Sequence, residues 1–248
     1  MLRDHYSLMK KYALKQVEDD LFEMQDEGFK LVGSTSMLFV VEELNGGVYD
    51  CDCSGKVVLD VGGFQGESAV FFSKMGAKKV IIYEPVITHH KLIKKNVYSN
   101  HVNAEIHAEG IGNRDGTQTV SYDVTDSAFG PLSKGQNTME IKIREVAEVI
   151  ERSGANVAKF DCEGAEESLI DVPSETLRKI ELYIIEAHTI EIRGALIEKF
   201  RASNFSLEKE VALTASVSVL FFKLNFATEL AENSLETGLM PDLAIIEF

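Results

Sequence analysis

The feature that most constrains the fold is a rhythm of short apolar runs, each with an acidic residue at or near its end. The runs are Lys56-Val-Val-Leu-Asp-Val61, Lys79-Val-Ile-Ile-Tyr-Glu84, Glu105-Ile-His-Ala-Glu109, Asn156-Val-Ala-Lys-Phe-Asp161 and Glu181-Leu-Tyr-Ile-Ile-Glu186. Lys56–Val61 above all is too short for a stable helix and too continuously apolar for a half-solvated strand, the pattern of a strand buried on both faces of a parallel sheet. The others are read as further strands of that sheet. Helical stretches are expected between them, at residues 67–75, 86–100, 164–170 and 190–202. Alternating strand and helix implies an α/β, doubly wound, mostly parallel sheet with right-handed crossovers. Ligands of such sheets bind where the carboxyl ends of the strands open. Asp60, Glu84, Glu109, Asp161 and Glu186 are therefore expected along one edge.

The flanks read differently. Tyr6, Met9, Ala13, Val17, Leu21 and Met24 recur at three- and four-residue spacings, which predicts an amphipathic helix over 6–28 with Gly28 as its stop. Met37-Leu-Phe-Val-Val-Glu42 reads as a strand and Asn45-Gly46-Gly47 as a hairpin turn. Runs at 117–122 and 138–143 are β-like, and Phe205–Glu210 with Ser216–Leu224 form an expected β-pair. The expected organisation is a helix and hairpin extension at 1–50, a main domain at 51–224 and a tail at 225–248. The Gly-, Ser- and Asp-rich stretch 124–137 is a candidate lid.

Forty acidic residues against 25 basic give a net charge of −15, which repels phosphate backbones, so nucleic acid is not an expected partner. The longest nearly apolar stretch, 211–222, contains Thr214, Ser216 and Ser218 and is short of a membrane span. The first residues lack an apolar signal core, so a soluble cytoplasmic protein is expected, with no membrane partner. Cys51, Cys53 and Cys162 fit neither a structural zinc site nor a disulfide framework.

The loop after the first run is Asp60-Val61-Gly62-Gly63-Phe64-Gln65-Gly66. A dinucleotide loop starting at Gly62 would need glycine where Phe64 and Glu67 stand, and no Gly-Lys-Ser/Thr phosphate loop follows. An acid ahead of the loop disfavours a phosphate but suits a ligand bearing an ammonium and a sulfonium, such as S-adenosylmethionine. Glu84, 24 residues on, is placed to accept both ribose hydroxyls, and Pro85 ends its strand sharply.

Here the sequence resembles a known family. Val57–Gly66, Ile82–Pro85, Gly110-Ile-Gly-Asn-Arg-Asp-Gly116, Lys159-Phe-Asp-Cys-Glu-Gly-Ala-Glu166 and Ile185-Glu-Ala-His188 together are similar to the FkbM-type S-adenosylmethionine-dependent methyltransferases. The chain departs from that pattern at Phe64-Gln65. The resemblance implies a seven-stranded class I methyltransferase fold ending in a reversed hairpin, and methyl transfer to hydroxyl oxygens of sugars or other small molecules. It also implies cofactor contacts from Asp60, Gly62, Gly63, Phe64, Gln65, Gly66, Glu84, Pro85, Glu109, Gly110 and Asp161.

Methyl transfer from a sulfonium needs no general acid, because the leaving group is a neutral thioether. A hydroxyl acceptor does need a base or a metal. The expected arrangement puts Asp161 beside the cofactor's amino end, with Glu163 or His188 as base. Glu166 and Glu167 are read as helix-start charges only, and no metal ligands are assigned. One alternative lets Asp161 and Glu186 hold a divalent cation, as in metal-dependent O-methyltransferases; another is a scaffold that binds the cofactor without turnover. A nicotinamide oxidoreductase is disfavoured by Phe64. The acceptor pocket is expected from the first 50 residues and the 124–137 loop, with homo-oligomerisation left open.

Overall fold

The computed structural model describes residues 11–12, 14–18, 21–26, 28–122, 129–130 and 137–225. The tail beyond 225, most of the 124–137 stretch and residues 6–10 of the expected first helix lie outside them. The strands are β1 (Lys15–Glu18), β2 (Leu21–Asp26), β3 (Phe29–Gly33), β4 (Val57–Val61), β5 (Lys79–Tyr83), β6 (Ala104–His107) and β7 (Gly110–Gly112). They continue as β8 (Gly116–Tyr122), β9 (Phe129–Gly130), β10 (Asn137–Glu145), β11 (Val157–Phe160), β12 (Leu182–Ala187), β13 (Phe205–Ala212) and β14 (Ser218–Leu224). The α-helices are α1 (Met37–Asn45), α2 (Glu67–Lys74), α3 (His90–Ser99), α4 (Val146–Ser153), α5 (Ser174–Leu177) and α6 (Ile190–Ala202), with a 3-10 helix at Ala165–Asp171.

Seven strands form the central sheet in the order β13-β14-β12-β11-β4-β5-β6. The five from β12 to β6 run parallel, while β14 is antiparallel to both of its neighbours. Of these, β4, β5, β11 and β12 are the apolar runs of the sequence, and burial on both faces is why they are largely apolar, whereas the edge strand β6 is only half-buried. Val58, Leu59, Val80, Ile82, Val157 and Ile184 are all buried, each contributing roughly 1.5–3 kcal/mol. One face carries Phe160, Tyr183, Phe200 and Phe222 in mutual contact, with the Phe200 and Phe222 rings stacked at 4.3 Å. The expected β-pair at the chain's end is the reversed hairpin β13–β14. The stretch between β6 and β11 builds a separate four-stranded sheet, β7-β10-β8-β9, which includes the runs expected at 117–122 and 138–143.

The N-terminal expectations are corrected. Where a helix was expected at 6–28, residues 15–26 form two strands, and β1-β2-β3 make an antiparallel sheet. Gly28, at φ 84°, serves the turn from β2 to β3 rather than stopping a helix. The three- and four-residue spacing was real but misleading, because β3 offers a strand partner: Met24 pairs with Leu31, and both are fully buried. Conversely, Met37–Asn45 is a helix, not a strand. Its buried residues Met37, Leu38, Val41 and Leu44 fall on one helical stripe, which outweighs the β-rich composition. Asn45-Gly46-Gly47 closes this helix instead of a hairpin. The helix expected from Val86 begins at His90, because the Val86 amide donates to the Glu84 carboxylate (2.9 Å) and holds the chain in a loop.

Two asparagines tie the N-terminal sheet to the main body: Asn100, which caps α3, at the exposed Lys30 backbone, and Asn96 in the interior. The buried Asn96 of α3 accepts from the Val32 amide (2.8 Å) and donates to the carbonyls of Val32 (3.0 Å) and Gln65 (2.8 Å). Replacing it strands buried backbone groups, each at about 1–3 kcal/mol. Asn96→Leu is expected to lower the stability by about 2–4 kcal/mol in urea denaturation, while Asn103→Leu, at an exposed bond to Lys78, changes it by less than about 1 kcal/mol.

Candidate functional site

The loops that follow β4 and β11 meet at the carboxyl edge of the sheet, and glycine makes the meeting possible. Gly62 has φ 82°, and a β-carbon on it would lie 1.7 Å from the carbonyl oxygen of Asp161. At Gly66, φ 91° starts α2 where a β-carbon would press to 3.1 Å from the Ile93 backbone. Between them Phe64 is held at φ 41°, a conformation that costs a non-glycine residue of order 1–3 kcal/mol.

Beneath the crossing sits a buried lysine. Lys159 on β11 is directly opposite Asp60 on β4, and its Nζ donates to the Gly62 carbonyl (2.8 Å). The same ammonium lies 3.4 Å from Asp60 and 3.3 Å from Asp161. Burial opposes its charge, yet Asp161 and Asp60 outweigh that and raise its pKa above the ordinary lysine value. Asp60 is fully buried, accepts from the Ser68 hydroxyl (2.6 Å), and has its own pKa raised chiefly by burial. It is absent from the cavity wall. The expectation that Asp60 meets the ligand's ammonium is corrected: its charge is engaged by Lys159 and Ser68 under the loop.

Glu84 stands beyond the end of β5 as expected. Its Oε2 accepts from the Phe64 amide (3.0 Å) and Oε1 from the Val86 amide (2.9 Å), which fixes the plane of the carboxylate. A carboxylate has about four acceptor positions, so capacity remains for hydroxyl groups. The Phe64 ring lies edge-on to His89, with centroids 4.8 Å apart, and both rings line the cavity.

On the other side, Glu163 has φ 54° at the turn after β11. Glu166 is fully buried and organises this turn. It accepts from the amides of Gly164 (2.8 Å) and His188 (3.1 Å) and from His188 Nδ1 (2.9 Å). The reading of Glu166 as a helix-start charge alone is thus corrected. His188 Nε2 faces Asp161 at 3.8 Å, Glu163 at 3.7 Å and Glu186 at 3.7 Å. Burial disfavours its proton, but Glu166, Asp161 and Glu163 outweigh burial and lift its pKa to about 10. Glu186 is pushed up to about 8 by burial and by Asp161, and it accepts a hydrogen bond from the Tyr49 hydroxyl.

These groups surround a cavity of about 240 Å³. Gly62, Phe64, Glu84, Pro85, Gly110, Asp161, Glu163 and Glu186 lie on its wall. Phe39, Val40 and Glu43 of α1 close one side, and Val120, Ile141 and Ile143 of the second sheet supply an apolar roof. The first 50 residues thus reach the cavity wall through α1; the 124–137 stretch, also expected at the acceptor pocket, lies mostly outside the described residues. Several expected contacts are elsewhere. Gly63 lies against Ile82, and Gln65 is buried with its amide group on Ser34. Glu109 faces a separate charged cleft, 3.0 Å from Arg144. Gly66 serves the helix start.

Sequence reasoning missed Lys159, Tyr49 and the buried Glu67, and it undervalued Glu166. The signal for Lys159 was present, since a lysine inside a strand buried on both faces needs buried partners. Glu67 carried none: its pKa is raised to about 8 by burial at the start of α2.

Neither a family model nor a curated protein sequence matches the chain. Solved structures do. A protein described as a methyltransferase, SMU.776, complexed with S-adenosylhomocysteine, aligns with TM-score 0.53 at 12% identity over 84% of this chain and 57% of its own. An RNA methyltransferase candidate from Pyrococcus horikoshii gives 0.50 and 13%, over 90% and 98%. The tRNA m1G37 methyltransferase of M. jannaschii gives 0.51 and 14%, over 85% and 59%. This chain spans less than two thirds of the first and third of these. The fold is therefore the Rossmann-like class I methyltransferase fold.

Two expected outcomes test the buried charges. Lys159→Met is expected to cost about 3–5 kcal/mol in urea denaturation by leaving Asp60 buried without its counter-charge, and adding Asp60→Asn to recover much of that loss. Glu67 has its pKa raised from 4.5 to about 8 in the folded state. Its contribution is complete below the unfolded value and is lost as pH rises through about 8. The melting temperature of the wild type relative to Glu67→Gln is expected to fall steadily between pH 5 and 8.

Proposed function

We propose that the chain is an S-adenosylmethionine-dependent methyltransferase of the FkbM type, acting on a hydroxyl oxygen of a small molecule or sugar. The observation that carries this reading is Glu84. It is held by two backbone amides on the wall of a cavity at the carboxyl edge of β4, β5 and β11, where the adenosine ribose of the donor would bind. In this reading Phe64 and His89 flank the nucleoside. The methionine end reaches Gly62 and Asp161, whose partly exposed carboxylate would receive the ammonium.

The acceptor would enter over α1 and the apolar roof. Bound against Gly62 and Asp161, the sulfonium donor would supply its methyl group to the acceptor oxygen and be left as a neutral thioether. Alignment of the two reactants supplies much of the rate. The hydroxyl proton must leave, and the sequence offered Glu163 or His188 to take it. With its pKa lifted to about 10, His188 is already protonated at neutral pH and is a poor acceptor. Glu163, on the cavity wall at a turn it strains to make, is the base in this reading.

A second reading follows from two of the similar structures, whose names refer to RNA methylation. The net charge of −15 favours an uncharged acceptor over a phosphate backbone.

S-adenosylhomocysteine at about 100 times its Kd is expected to stabilise the protein by about 2.7 kcal/mol, a rise of several degrees in melting temperature, while NAD gives none. Glu84→Ala is expected to weaken binding of S-adenosylhomocysteine at least tenfold. Transfer of labelled methyl to a panel of sugars and phenols, set against RNA, identifies the acceptor class, and Glu163→Gln is expected to reduce that transfer at least a hundredfold with cofactor affinity unchanged.

A further inference from the structure

We infer that Cys51 and Cys53 are a reversible redox pair, closing to an intrachain disulfide in exchange with a small-molecule disulfide of the glutathione class. The two thiols build no framework with the rest of the chain, yet the fold sets their Sγ atoms 3.3 Å apart, in direct contact. A bonded pair stands at about 2.0 Å, so closure needs only about 1.3 Å of approach.

The contact is a product of the connector that joins α1, which lines the cavity, to β4. That connector is fastened on both sides of the cysteines. Before them, the Val48 amide donates to the Glu43 carbonyl (3.1 Å) and the Tyr49 hydroxyl to Glu186. After them, the Lys56 amide donates to the Cys53 carbonyl (2.9 Å) and the Gly55 amide to the Gly76 carbonyl (2.9 Å). Cys53 is fully buried with Leu44, Tyr49, Val58 and Phe72, while Cys51 packs against that cluster from a partly exposed position. One sulfur is thus reachable from solvent and the other is held beneath it. Disulfide exchange uses that division, because an outer thiol meets the reagent and an inner one resolves the mixed disulfide.

The step balances without any group from the cavity and goes beyond the methyl-transfer reading. Cys51 bonds to one glutathione sulfur as the reagent's own disulfide breaks. Cys53 then attacks Cys51 Sγ, forms the new sulfur–sulfur bond and expels the second glutathione. Two electrons pass to the reagent, and the two thiol protons end on the two glutathione thiols released. The pair gives up its first proton readily, since the S–H left behind donates to the new thiolate. This bond from Cys51 lowers the pKa of Cys53, and Lys56 adds to it, although burial opposes both. Cys162 is the internal control: burial and Glu166 hold its thiol well above the ordinary range, the state of an inert cysteine.

The test uses the full chain in glutathione buffers of rising disulfide fraction, quenched with iodoacetamide and digested with trypsin. One peptide, 31–56, carries both cysteines, and Cys162 falls in another, 160–178. The expected result is a 31–56 peptide lighter by two hydrogens and free of alkylation, while 160–178 stays alkylated. This oxidation is expected to be at least tenfold more favourable in the folded chain than in urea, because the fold has already brought the sulfurs together. By linkage the oxidised protein is then more stable by about 1.4 kcal/mol. Cys51→Ser is expected to abolish the effect of glutathione disulfide on urea unfolding. Three results overturn the pair: a glutathione adduct that persists on 31–56 without loss of the two hydrogens, alkylation of both cysteines at every disulfide fraction, or oxidation no more favourable in the folded chain than in urea.

Discussion

The ammonium of Lys159 is the point from which the rest of the site is arranged. It stands on a buried strand whose other residues, Val157, Ala158 and Phe160, are apolar, and it touches the two strands and both loops that define the cavity. A lone buried ammonium would be strongly disfavoured, and so would Asp60 alone. Together they permit an ionic pair under the Gly62 loop, and the hydrogen bond to the Gly62 carbonyl fixes where that loop crosses Asp161. The close approach at Gly62 and the carboxylate of Asp161 both lie around this one contact.

Charge then separates into three layers. The deepest is the Lys159–Asp60 pair, sealed from the cavity. Above it lie carboxylates that hold backbone or imidazole groups in place: Glu84 on the Phe64 and Val86 amides, with acceptor capacity left toward the cavity, and Glu166 on Gly164 and His188. Outermost are Asp161, Glu163 and Glu186, which face the open space. An acidic protein thus concentrates negative charge where a cationic methyl donor would approach, and a neutral acceptor meets an apolar roof on the far side.

Much of this was legible in the sequence, for definite reasons. Strands buried on both faces cannot hide their apolar continuity, so β4, β5, β11, β12 and the final hairpin stood out, and with them Gly62, Glu84 and Asp161. The N-terminal region was misread because its signal is tertiary. The strand pairing of Met24 with Leu31 and the helical stripe of α1 acquire meaning only against neighbours far along the chain. Glu166 was undervalued for a similar reason. A glutamate at the start of a helix looks like a dipole partner until β12 brings His188 across to it. The second sheet offered only two β-like runs, and its role as a roof depends on where the loop after β6 folds back.

The central claim is that the crossing of the β4 and β11 loops, with Glu84 beside it, receives S-adenosylmethionine. Hydrogen–deuterium exchange with and without S-adenosylhomocysteine tests this most directly, since it locates a ligand by the backbone it covers. Slower exchange confined to peptides spanning 61–66, 84–89 and 161–165 is the predicted result. Unchanged exchange in all three, with protection appearing instead at the charged cleft around Arg144 or nowhere, would contradict it.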